Sequence, residues 1–186
     1  ITVSNKGSGT SNPTPIAETV TVANLIVSLH GRAQIADALE LQSSLTVDAN
    51  SLFSTTGANT VVNAPTTTVS GTINASENLQ LNASDVTIAA GGNMKCSSNL
   101  CTLDVNSSGS WNVLGSVEGS FVDVSSASTS ISGSITSEGR GYGPLQGPGS
   151  GQHCGTNIGA SGASYGGRGG GCNSGTSGVK DHYGSI

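Results

Sequence analysis

The chain has 186 residues and a formal net charge of −5, with only 9% charged and 3% aromatic side chains. Soluble domains usually carry about 25% charged residues; here Ser, Thr, Asn and Gly take their place. Its cations (Lys6, Arg32, Lys95, Arg140, Arg168 and Lys180) are scattered, which excludes a phosphate-neutralising nucleic-acid surface, and no apolar run is long enough to span a membrane.

Low charge also argues against ordinary disorder, which combines few apolar residues with high net charge. The apolar residues are small and often β-branched, a mix suited to pleated sheet. Residues 1–16 are rich in Ser, Thr, Pro and Gly and read as a linker or an entering strand followed by a turn. The chain starts at Ile1 and shows no signal peptide, so it reads as processed or as cut from a longer polypeptide.

From Glu18 short apolar alternations begin. Val20 and Val22 lead to Leu25, Val27 and Leu29 with a period of two, the pattern of a half-buried strand. Between Arg32 and Gln42, Ile35, Ala38, Leu39 and Leu41 partly fit a helical face and predict a short helix.

The middle of the chain carries an irregular repeat. Leu45-Thr-Val47-Asp-Ala-Asn is echoed by Leu79-Gln-Leu81-Asn-Ala-Ser, by Leu103-Asp-Val105-Asn-Ser-Ser and, more loosely, by Val122-Asp-Val124-Ser-Ser-Ala. The first interval would hold two equal coils. A second echo joins Val69-Ser-Gly-Thr-Ile73 to Ile131-Ser-Gly-Ser-Ile135, with Leu114-Gly-Ser-Val117 a near relative. Each unit is a short strand with two inward apolar residues, then a corner of short polar side chains that bond local backbone. One such strand buries too little apolar surface alone, but stacked copies form a continuous column. The expected fold class is therefore all-β, a right-handed parallel β-helix (β-solenoid) over residues 17–138. A β-sandwich is the alternative, since it also uses short strands between turns. A solenoid has two open ends, and no segment reads as a cap.

Four cysteines allow three pairings, and proximity favours Cys96 with Cys101 and Cys154 with Cys172. Zinc is the competitor, but Cys96 and Cys101 have no histidine nearby, and His153 beside Cys154 would have only Cys172 as a local partner. Disulfides imply an oxidising compartment, outside the cytosol. Three sequons, at Asn74, Asn82 and Asn106, mark candidate glycosylation sites in keeping with that location. Asn82 and Asn106 each follow a short apolar strand, so a turn is expected to present them outward.

Gly162-Ala-Ser164-Tyr-Gly166 has the spacing of a nucleophile elbow and is followed by Asp181 and His182, but no α/β domain surrounds it. No GK[ST] completes a phosphate loop. Asp48, Asp85, Asp104 and Asp123 recur near expected corners, yet calcium needs six to eight oxygens gathered together, and these read as solvated corner residues. Asp104, Glu118 and Asp123 are the acids close enough in sequence to suggest a glycan-cleaving pair. Trp111, among Val113, Leu114 and Val117, reads as core rather than as a sugar platform. The histidines His30, His153 and His182 share no ligand spacing. No cofactor and no metal site is expected, and the chain reads as non-enzymatic.

More than half of the 28 glycines lie beyond Glu138. The 139–186 segment is expected to be a Gly-rich loop region stapled by Cys154 and Cys172. Its motifs Gly139-Arg-Gly-Tyr142-Gly-Pro, Gly147-Pro-Gly-Ser-Gly151 and Gly162-Ala-Ser-Tyr-Gly-Gly-Arg-Gly-Gly170, with Tyr183-Gly-Ser near the end, resemble a module of very large surface proteins of protists, algae, plants and bacteria. In that family β-helical coils alternate with such Gly-rich loops. The resemblance covers about the last 50 residues well and the coil region in style. It implies an architectural or adhesive role: an extracellular, cell-surface or secreted segment or subunit of a fibre, self-associating or joined to neighbouring repeats, with possible covalent glycans. The alternatives are a glycan- or ice-binding module, for which Thr19-x-Thr21 and Thr66-x-Thr68 are the only matching pairs, and a polysaccharide-active β-helix enzyme.

Overall fold

A computed structural model describes residues 1–5, 12–16, 21–98 and 100–137. The chain divides into two compact units, Ile1–Gly141 and Tyr142–Ile186, and all described residues fall in the first. They form a parallel β-solenoid of about six turns.

The first coil holds β1 (Thr2–Ser4) and β2 (Thr14–Pro15), so part of the expected linker already pairs with the solenoid. The second holds β3 (Thr21–Ser28) and β4 (Arg32–Ile35); the third, β5 (Ala38–Val47) and β6 (Leu52–Thr55). Three strands make the next two coils: β7 (Asn59–Asn63), β8 (Thr66–Val69) and β9 (Thr72–Ala75), then β10 (Asn78–Ala83), β11 (Asp85–Ile88) and β12 (Asn93–Cys96). Last come β13 (Thr102–Val113) with β14 (Ser116–Glu118), and β15 (Phe121–Ile131) with β16 (Ser134–Thr136). Pairing between coils is parallel throughout.

Three faces result. The first carries β7 and β10, the second β8 and β11, and the third β4, β6, β9, β12, β14 and β16. The long strands β5, β13 and β15 run along the first face and continue onto the second, which joins these two faces into one nine-stranded sheet.

Inside, equivalent residues stack in columns. On the second face Val3, Val27, Val47, Val69, Ile88, Val113 and Ile131 lie in register from the first coil to the last. On the third, Ala33, Phe53, Ile73, Met94, Val117 and Ile135 do the same, and on the first Leu39, Val62, Leu81, Val105 and Val124. Adjacent coils are about 4.8 Å apart, so each side chain packs on the one above and below it. Trp111 belongs to this interior and is almost fully buried.

The predicted helix over 32–42 is absent: Arg32–Ile35 is β4, and residues 38–42 open β5. Ile35, Leu39 and Leu41 are buried by alternation along strands, which satisfies the same apolar spacing. The interval between coils also differs from the equal division expected between Leu45 and Leu79. Asn59 meets Asn78 19 residues on, whereas Asp85 meets Ser110 25 residues on. Leu79, Leu103 and Val122 are true equivalents on the first face, but Leu45 sits on the second, against Thr67.

The second echo marks one corner. Gly31, Gly71, Gly92, Gly115 and Gly133 each precede a third-face strand and stack in register at the turn from the second face. A Cβ at Gly71, Gly92, Gly115 or Gly133 would stand 2.2, 2.1, 2.1 or 1.9 Å from a carbonyl oxygen of the preceding coil. Coil stacking, rather than a positive φ, requires glycine there. Ser51 is the exception in this column. It follows a longer turn in which Asn50 adopts φ 61° and Ser51 N donates to Asp48 O at 3.0 Å. Its hydroxyl is buried without a hydrogen-bond partner. Ser51→Ala is therefore expected to raise stability by about 1 kcal/mol, because an unmade buried hydrogen bond is costly; urea unfolding checks it.

Candidate functional site

The outward residues of the three faces differ in chemistry. On the first face asparagines form a ladder across coils. Asn82 Nδ2 donates to Asn63 Oδ1 at 2.6 Å, Asn106 Nδ2 donates to Asn82 Oδ1 at 3.2 Å, and Asn63 Nδ2 donates to Glu40 Oε1. Beside it Asn78 Nδ2 donates to Asn59 Oδ1 at 2.9 Å, and the backbone N–H of Thr102 donates to Asn78 Oδ1. A shallow depression of about 250 Å³ lies here, lined in part by Asn59, Asn78, Gln80 and Asp104.

The sequon residues Asn82 and Asn106 thus lie within β10 and β13 and not in a turn, their amides engaged in the ladder. Asn74 lies on the third face, in β9, and its Oδ1 accepts a hydrogen bond from Ser97 Oγ at 2.9 Å. All three are half-buried.

The second face is nearly uncharged. Ser44, Thr66, Asp85, Ser110 and Ser128 form one outward column and Thr46, Thr68, Thr87, Asn112 and Ser130 another. Thr67 points inward and is buried, while Thr66 and Thr68 flank it on the outside. Thr21 opens β3 on the first-face side, and Thr19 lies outside the described residues.

Asp85 Oδ1 accepts from Ser110 Oγ at 2.6 Å and from Ser110 N at 3.0 Å. Those bonds, the hydroxyl's first, hold its carboxyl below the usual carboxylate range. A depressed folded pKa means the stabilisation is present above the unfolded pKa and is lost as pH falls through the folded value. Because Asp85 is exposed, a small effect is expected: an NMR titration should place its midpoint below that of the Ser110→Ala variant.

Two of the three acids that suggested a glycan-cleaving pair are brought together and the third is not. Asp104 and Asp123 are register partners on the first face, whereas Glu118 lies on the third, opposite Lys95. Asp48 is in a corner turn and Asp85 starts β11. Among the described residues no group of three His, Cys, Asp or Glu is placed to hold a metal. Cys96 and Cys101 form the disulfide expected from their spacing, closing the turn between β12 and β13. The Cys154–Cys172 pairing, the Gly162–Gly166 motif with Asp181 and His182, His153 and the Gly-rich motifs lie outside the described residues.

Sequence reasoning missed two features. One is in the last described coil: the column residues Ile131 and Ile135 are 51% and 38% exposed, although their equivalents one coil earlier, Val113 and Val117, are fully buried. Phe121, at the start of β15 on the first face, is exposed too. Among the described residues β15 is paired with β13 and β16 with β14. The other is a corner cleft of about 170 Å³ lined by His30, Arg32, Asn50 and Leu52. Alternation in the sequence identified inward residues but could not say which of them would be exposed.

Together these features define a three-faced parallel β-solenoid whose last described coil carries exposed apolar column residues. No protein-family model, curated protein or solved structure matches the chain. No helix among the described residues is long and apolar enough to cross a membrane.

Proposed function

We propose that this protein is an extracellular, non-enzymatic structural element, a segment or subunit of a cell-surface fibre extended by stacking of coils. The observation that carries the reading is the last described coil, where Ile131 and Ile135 continue buried apolar columns yet are themselves exposed. A further coil stacked on this one would bury those side chains as each earlier coil buries its neighbour's. The Cys96–Cys101 disulfide is compatible with the extracellular setting. Asn74, Asn82 and Asn106, all on outer faces, are the proposed glycan attachment points.

Electron microscopy and sedimentation of the native protein test this reading. Fibres or oligomers are expected, and Ile131→Lys should leave an 18.2 kDa monomer. The lysine is tolerated by an isolated coil end, where its ammonium reaches water, but it places a charge in any stacked interface. A native protein that stays monomeric at high concentration overturns the proposal.

A second reading, an ice- or glycan-binding face, draws on one observation. Thr46, Thr68 and Thr87 stack in register on the second face, and none of their hydroxyls has a hydrogen-bond partner among the described residues. Three threonines make a short array, interrupted by Asn112. Thermal hysteresis lost in Thr68→Val would favour this reading over the first.

A further inference from the structure

We propose that the cleft formed by His30, Arg32, Asn50 and Leu52 binds the carboxylate or sulfate group of an acidic saccharide. The site lies on the side of the solenoid, at the corner between the second and third faces, and is independent of stacking at its end.

Two stacked turns build it. Leu29 and His30 are successive left-handed residues, φ 51° and 62°, between β3 and β4. One coil on, Asn50 with φ 61° occupies the turn between β5 and β6. Arg32 opens β4 directly against Leu52 of β6, so the guanidinium and an apolar side chain line the cleft beside the imidazole and the amide. Non-glycine residues rarely adopt such φ values, and here they bring His30 and Asn50 to a cation.

The chemistry of the set is that of an oxyanion receptor. Arg32 Nε is buried with no hydrogen-bond partner, and no carboxylate among the described residues pairs with the guanidinium. Its planar fork matches a carboxylate or sulfate with two parallel bonds. Asn50 and His30 supply further donors. Asp48 begins the turn that carries Asn50 but does not line the cleft. In a chain of net charge −5, the one other Lys or Arg among the described residues is Lys95, on the same face three coils away. Leu52 gives the cleft an apolar wall for the C–H face of a sugar ring, and its volume of about 170 Å³ suits a single ring.

The experiment titrates the full chain, in the Ile131→Lys background as well as the native one, with a sulfated oligosaccharide, a galacturonate oligomer, a neutral glucose oligomer and inorganic sulfate. Binding is read by calorimetry and by the NMR signal of the Arg32 Nε–H. Saturable binding of the two acidic oligosaccharides, with a shift of that signal, is expected. Arg32→Gln should weaken it about tenfold or more, the loss of a charge-assisted hydrogen bond. His30→Gly should weaken it while leaving the fold intact, since glycine adopts the same left-handed backbone without strain. Lys95→Gln should leave it unchanged. Three results would overturn the proposal: no saturable binding to either acidic oligomer, equal losses in Arg32→Gln and Lys95→Gln, or inorganic sulfate binding as tightly as the sulfated oligosaccharide. Because binding is also measured in the stacking-deficient variant, its failure is distinct from failure of the fibre reading.

Discussion

Gly92→Ala should destabilise the solenoid by about 3–5 kcal/mol, near the upper end for a single substitution. The added Cβ would stand 2.1 Å from the carbonyl oxygen of Val69 and 3.0 Å from that of Ala89. Neither atom is a side-chain tip that can swing aside. Both belong to backbone, and the next residue, Asn93, donates its N–H to Gly71 O across the same corner. Relief would have to separate two coils locally, breaking ladder bonds in proportion. Since each coil contacts only its neighbours, protection from amide exchange should fall most in the coils carrying β9 and β12, with the ends of the solenoid less affected. A Gly91→Ala variant provides the contrast. Gly91 has φ 82° but nothing within 4 Å of its Cβ position, so about 1 kcal/mol of backbone strain is expected there. Urea unfolding of the two variants separates a steric requirement from a conformational one.

Trp111→Ala should cost about 3–5 kcal/mol, the usual range for emptying a large aromatic site. Trp111 is the largest of the fully buried side chains among the described residues and lies inside the coil of β13 and β14, between Val86 before it and Thr129 after it in register. Thin coils have few other groups able to relax into the space. Its indole N–H has no hydrogen-bond partner, so Trp111→Phe removes an unsatisfied donor along with volume and should cost much less than the alanine variant. Thermal unfolding of the pair, followed by far-ultraviolet circular dichroism, checks the order. If alanine and phenylalanine were equally tolerated, the packing argument for this column would fail.

Much of the fold was legible because strand stacking leaves local marks. The alternation Leu79, Leu81 and Leu103, Val105 specifies two inward positions per strand. The Ser-Gly of Ser70-Gly71 and Ser132-Gly133 specifies a corner where no Cβ fits. Both marks arise within a few residues of chain, so they survive in sequence. The helix predicted over 32–42 failed because Ile35 and Leu39 are compatible with either period, and the choice was made by pairing with β6 and β7. Leu45 was matched to Leu79 because its neighbours look alike, yet the two point inward from different faces. Leu45 pairs with Thr67 of β8 in the later part of β5, whereas Leu79 pairs with Thr60 of β7.

The candidate sites were less legible. Asn82 and Asn106 were visible as sequons, but their shared ladder with Asn63 and Glu40 depends on coils 19 to 24 residues apart coming into register. Arg32 looked like one scattered cation. It became part of a cleft only when His30 and Asn50, 20 residues apart in sequence, stacked at one corner.

The sequence by itself determined that this chain makes short parallel-stacking strands, with small apolar residues inward, glycine at one corner and a local disulfide. Those properties depend on alternation, steric room and neighbouring cysteines, all short-range. Only the tertiary structure decided which residues share a face, which column residues are exposed and which polar groups meet. The number of residues in each turn sets the phase of the next coil, and that phase is realised only when main-chain hydrogen bonds lock one coil onto another.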